Sequence, residues 1–94
     1  MSRPLAVGTQ QLENERVIVT EWRFAPGAET GAHRHGHDYV ITPITNGTML
    51  LQTPEGEKIA ELVAGQSYFR QAGVEHNVIN AGDSELVFVE TELK

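Results

Sequence analysis

The sequence contains no cysteine. Disulfides, iron–sulfur clusters, thiolate zinc sites and a cysteine nucleophile are therefore excluded. A chain of 94 residues buries only about 60–65% of its unfolded surface. Without disulfides, its stability has to come from packing, a metal or oligomerisation. The length predicts one domain over residues 1–94.

Basic residues are also scarce. Seven lysines and arginines face 13 acidic residues, for a net charge of −6. The seven are scattered along the chain, so no stripe exists to neutralise phosphates. Nucleic acid is not an expected partner, and neither is an anionic membrane surface. Long apolar runs are missing too. Nothing approaches the roughly 18 apolar residues of a membrane-spanning helix. Residues 1–8 (MSRPLAVG) lack the apolar core of a signal peptide. A cytoplasmic location is expected.

No window holds the i, i+3, i+4, i+7 spacing of an amphipathic helix. Short β-rich stretches recur instead, at residues 16–22, 38–45, 48–53, 57–62, 66–70, 75–80 and 85–93. Turn signals separate them every eight to twelve residues from Pro26 onward. This spacing predicts an all-β sandwich or barrel. Pro43 predicts an edge or a bulge. Asn46-Gly47 predicts a two-residue hairpin, and Pro54-Glu55-Gly56 another turn. The run Leu86-Val87-Phe88-Val89 is apolar on both faces, which predicts a strand covered on both sides and hence a homodimer.

Four histidines are present, and His33, His35 and His37 lie within five residues. In an extended segment these three share a face. Two imidazoles at i and i+2 can converge on one ion, and His76 is the one histidine left to join them from elsewhere. Imidazole suits most divalent first-row metals.

The segment from Gly27 to Gly47 resembles the first motif of the cupin superfamily. Gly27 is followed by five residues, then His33-Arg34-His35, and the motif closes at Gly47. Gly65, five residues, Gln71-Ala72-Gly73, two residues, His76, three residues and Asn80 match the second motif. Together the two motifs span over half the chain. Stretches such as VTEWRFAPGAETG and SYFRQAGVEHNVIN are similar to a group of small bacterial single-domain cupins. Some of that group carry the label of beta-alanine degradation.

The resemblance implies a double-stranded β-helix, or jelly-roll barrel, of two packed antiparallel sheets. It implies one divalent metal per chain (iron, zinc, manganese or nickel) held by His33, His35 and His76. Two positions depart from the pattern. The first motif's glutamate is absent: its place falls on Tyr39 or Val40, while the neighbouring Asp38 has the wrong parity. Gln71 stands where the motif has proline. His37 is either a fourth ligand or a solvent-facing residue at the rim. Tyr39 and His37 are the candidate acid–base or orienting groups.

Three imidazoles without a carboxylate leave the ion more positive than the usual cupin site. Small anionic chelators, carboxylates or dicarbonyls, are the expected ligands. Dioxygenase and isomerase chemistry both fit. The alternatives are a non-catalytic metal- or metabolite-binding module, and a metal that only stabilises the barrel. Arg70 reads as a surface residue, or as an inward partner for a substrate carboxylate. Trp22 and Phe24 share a face and read as core or interface. Glu75 reads as surface.

Overall fold

Strand periodicity dominates the chain, and the computed structural model, which describes residues 3–94, is built from strands. They are β1 (Val7–Glu13), β2 (Val17–Phe24), β3 (His33–Arg34), β4 (Asp38–Pro43), β5 (Gly47–Thr53), β6 (Gly56–Leu62), β7 (Tyr68–Arg70), β8 (Glu75–Asn80) and β9 (Leu86–Leu93). One sheet has the order β1-β2-β9-β4-β7 and the other β3-β8-β5-β6. Named strand pairs are antiparallel throughout. Among the described residues, no helix is long and apolar enough to cross a membrane.

Alternation decides what each strand buries. On β9, Leu86 and Phe88 point inward, opposite Phe24 and Trp22 of β2. Ile41 and Tyr39 of β4 share that face. Met49 and Val78 reach them from the second sheet, and Phe24, Tyr39, Ile41, Met49, Val78, Leu86 and Phe88 form one buried cluster. This core lies between the sheets and reaches the histidines through Tyr39, whose ring stacks on His35.

The structure corrects the predicted hairpin at Asn46-Gly47. The strands on either side, β4 and β5, lie in different sheets, so the chain crosses over here. Gly47 leaves room for a core side chain instead. A Cβ there would stand 2.6 Å from Leu86 Cδ1, closer than packed atoms allow. Asn46 Oδ1 accepts a hydrogen bond from the Ala64 amide at 2.8 Å and ties down the crossing. The turn at Pro54-Glu55 does make a hairpin: Thr53 pairs with Gly56, and Gly56 adopts φ +115°.

Pro43 meets the edge expectation in a particular way. It ends β4 beside β9, but β7 pairs only as far as Ile41. Its carbonyl accepts the Gly65 amide at 2.9 Å, and its ring nitrogen, on the same side, faces no strand that needs a donor.

Two strands have no counterpart in the sequence reading. β1 is an edge strand exposed along its whole length, with a bulge between Gln10 and Leu12. Its sequence, VGTQQLE, buries nothing and so carries no alternation to detect. β3 is two residues long. The extended stretch imagined over all three clustered histidines stops there, because the chain bends at Gly36 and His37.

Candidate metal centre

β3 lies beside β8, with His33 paired to His76 and Arg34 to Glu75. Direct pairing places the two imidazoles next to each other on one face. The ladder continues just past β3. The His35 amide donates to the Val74 carbonyl at 2.9 Å, and Gly73 donates to the His35 carbonyl at 2.8 Å. His35 therefore stays beside β8 and on the same side as His33. Its Nε2 lies 3.0 Å from His33 Nε2 and 3.0 Å from His76 Nε2.

His33 Nδ1 lies 2.9 Å from the Gly31 carbonyl. A carbonyl only accepts, so Nδ1 carries the proton and His33 Nε2 presents a lone pair. A neutral His35 carries at most one proton on Nε2, which cannot satisfy both neighbours. A shared cation satisfies all three nitrogens. Ligands at right angles with bonds of about 2.1 Å stand about 3.0 Å apart, which is the spacing of His35 Nε2 from each of its two neighbours. The donor set fits a divalent metal ion.

Burial and the neighbouring imidazoles His33 and His76 hold His35 down to about 4. Burial and His33 bring His76 down to about 4 as well. Both rings are neutral near pH 7, the form that binds metal. The Tyr39 ring stacks on His35 at 3.9 Å with an 18° interplanar angle. Burial, above all, pushes the Tyr39 phenol up to about 12.

His37 does not join the cluster. The bend turns it to the rim, where Nδ1 lies 3.5 Å from Glu92 Oε2. Asp38 is also turned away, accepting the Ala72 amide at 2.8 Å. Glu75 is exposed, as expected.

The three imidazoles line a cavity of about 570 Å³ whose other walls include Trp22, Tyr68, Arg70, Phe88 and Glu90. This lies within the range of small-molecule sites, about 300–1,000 Å³. Trp22 thus serves the cavity, while Phe24 is core. Tyr68 turns inward and Phe69 outward. Arg70 is exposed at the mouth, its guanidinium 4.6 Å above the Tyr68 ring.

Glu90 was missed by sequence reasoning. It is only 9% exposed, and its carboxyl is pushed up to about 7 by burial and then by the Glu92 charge, with an opposing hydrogen bond from Trp22. Parity could have found it, since it shares a face with the core residues Leu86 and Phe88.

These shifts set a pH dependence for the metal-free protein. His35 and His76 bind fewer protons folded than unfolded between about pH 4 and 6.5, so each makes stability rise with pH across that window. Glu90 binds more protons folded than unfolded between about pH 4.5 and 7, so it opposes them. Two groups outweigh one. Urea unfolding of chelator-treated protein is expected to show stability rising from pH 4 to 6.5. A flat or falling profile contradicts the burial described here.

Comparison with known proteins agrees with this geometry. The cupin domain family matches residues 20–92. The chain is 73% identical over 92 residues to the beta-alanine degradation protein BauB of Pseudomonas aeruginosa, covering 98% of this chain and 97% of that one. A cupin domain of Bordetella pertussis superposes with a TM-score of 0.98 at 61% identity, over 100% of this chain and 98% of that one. A Klebsiella pneumoniae protein with a double-stranded beta-helix domain gives 0.78 at 25% identity, over 99% and 80%. The two antiparallel sheets packed around one core agree with these matches: the chain belongs to the cupin family and has its double-stranded β-helix fold.

Proposed function

We propose that residues 1–94 act as a single cupin domain that holds one divalent metal ion through His33, His35 and His76 and uses it to bind and transform a small chelating metabolite. The observation that carries this reading is the trio of Nε2 atoms, 3.0 Å apart in sequence His33–His35–His76, on the wall of a cavity of about 570 Å³. Iron, zinc, manganese and nickel all suit the donor set. When bound, the metal supplies Lewis acidity and positions for oxygen ligands.

The chain's own residues do the rest. Gly31 fixes the tautomer of His33, and Tyr39 fixes the plane of His35. Trp22, Tyr68 and Phe88 supply apolar walls that limit water at the site. Arg70 stands at the mouth, placed to meet a carboxylate. Small carboxylates and dicarbonyls remain the proposed ligand class. The name of the Pseudomonas relative adds beta-alanine breakdown as the metabolic setting to test first. The cytoplasm is the proposed location.

A non-catalytic binding module is the second reading, and one observation favours it. Of the two acid–base candidates, Tyr39 is held protonated near neutral pH, and His37 faces Glu92 at the rim. The test is turnover of small dicarbonyl, hydroxy-acid and short amino- or oxo-carboxylate compounds by iron-loaded protein, followed by oxygen uptake and by product analysis under nitrogen. Turnover of one compound that is lost in His76→Ala supports the enzyme. Binding of a compound without turnover supports the module.

The proposal includes a homodimer. The outer face of the five-stranded sheet carries Leu12, Val40, Phe69, Val89 and Leu93, of which Leu12, Phe69 and Leu93 are 47%, 49% and 39% exposed. Charges on this face are few, and Glu21 and Arg23 neutralise each other at 2.7 Å. A second copy can therefore approach despite a net charge of −6, and a two-fold axis makes the same patch serve both sides. Sedimentation is expected to give twice the 10.4 kDa chain mass, falling to one chain in Phe69→Lys. A wild type that sediments as one chain contradicts the dimer.

A further inference from the structure

Strand β9 carries Leu86, Phe88, Glu90 and Glu92 on its inward face. The first two fill the core. At Glu90 the same face reaches the cavity, between Thr20 of β2 and Ile41 of β4. An apolar residue would pack there without the cost of taking a carboxylate out of water. The carboxylate faces the trio: its Oε2 lies 3.8 Å from His35 Nδ1.

Each ring of the trio needs its Nδ1 proton placed so that Nε2 is free. His33 uses the Gly31 carbonyl. Among the described residues His35 Nδ1 has no carbonyl partner; the carboxylate facing that atom, at 3.8 Å, is that of Glu90. Three neutral imidazoles also bring no negative charge to a divalent ion. Glu92 does not supply it at the trio, because it is turned to His37 and is more exposed, at 22% of its side chain against 12% for Glu90.

We propose that Glu90 is a positioning residue of the metal centre: it draws the proton of His35 to Nδ1, points the Nε2 lone pair at the ion and supplies the negative charge that the three histidines lack. The carboxylate absent from β4, where Tyr39 stands, is thus provided from the neighbouring strand β9 and from outside the ligand shell. The inference rests on the reading that the trio holds a metal.

The test is zinc affinity by chelator competition at pH 8, together with the absorption spectrum of cobalt-loaded protein. Glu90→Gln is expected to bind zinc about 10–100-fold more weakly and to shift the cobalt visible bands. Glu90→Asp, which keeps the charge, is expected to recover part of the affinity and also serves if the glutamine variant fails to fold. Glu92→Gln removes an equal charge from the same strand and is expected to change affinity by less than either loss. Wild-type affinity and an unshifted spectrum in Glu90→Gln overturn the assignment while leaving the trio as the metal site. Equal zinc binding by wild type and His76→Ala overturns the metal reading itself, and this inference with it.

Discussion

Replacing His76 with alanine is expected to weaken divalent metal binding by more than 100-fold. Loss of a group that merely orients a ligand costs about 10–100-fold, and His76 is in direct contact with the cluster, its Nε2 3.0 Å from that of His35. It is also the sole member contributed by β8. Without it, two rings from one short segment remain, and the three-sided arrangement is gone. The fold has little reason to follow. β8 is held to β5 from Asn77 to Asn80 by backbone pairing with Gln52 to Met49, which the substitution leaves in place. Competition with a chromophoric chelator measures the affinity, and circular dichroism checks the fold. Unchanged affinity in a folded variant contradicts the assignment of His76.

The largest stability loss is expected from Phe24→Ala. Phe24 is fully buried, and its ring packs 5.4 Å from that of Phe88 and 6.4 Å from that of Trp22. Truncating a buried phenylalanine costs about 3–5 kcal/mol. A chain of this length has only about 5–14 kcal/mol in total. Urea denaturation is expected to show a much lower midpoint, with the metal-free variant close to unfolding. Metal at 100 times its dissociation constant should restore about 2.7 kcal/mol, because it binds only the folded chain. A loss below about 1 kcal/mol would mean that Phe24 is not the keystone of the core described here.

Most strands were legible in the sequence because β-rich stretches recur between turn signals. β8 runs over residues 75–80 in both readings. The elements that escaped lack that signature. β1 buries nothing, and β3 is too short to show a period. The Asn46-Gly47 misreading has a different cause. A dipeptide reports local turn chemistry, but it cannot say whether the flanking strands pair or separate into two sheets. Gly47 is there to let Leu86 pack, a tertiary reason invisible in four residues of sequence.

The trio His33, His35 and His76 was legible because two motifs of fixed spacing enclose it. His37 was undecided, since the bend at Gly36 that turns it outward has no strong sequence signal. Glu90 was obscured by its neighbours. In the run Glu90-Thr91-Glu92 a carboxylate reads as the solvent face, and only the parity with Leu86 and Phe88 shows that this face is the inside.

The claim on which the account rests is that the three imidazoles share one ion. Native mass spectrometry of the protein purified without added metal, then stripped and reloaded, tests it directly. The account predicts about one divalent ion per chain after reloading, and none in His33→Ala or His76→Ala. A wild-type chain that takes up no ion, or variants that hold as much as the wild type, would contradict it.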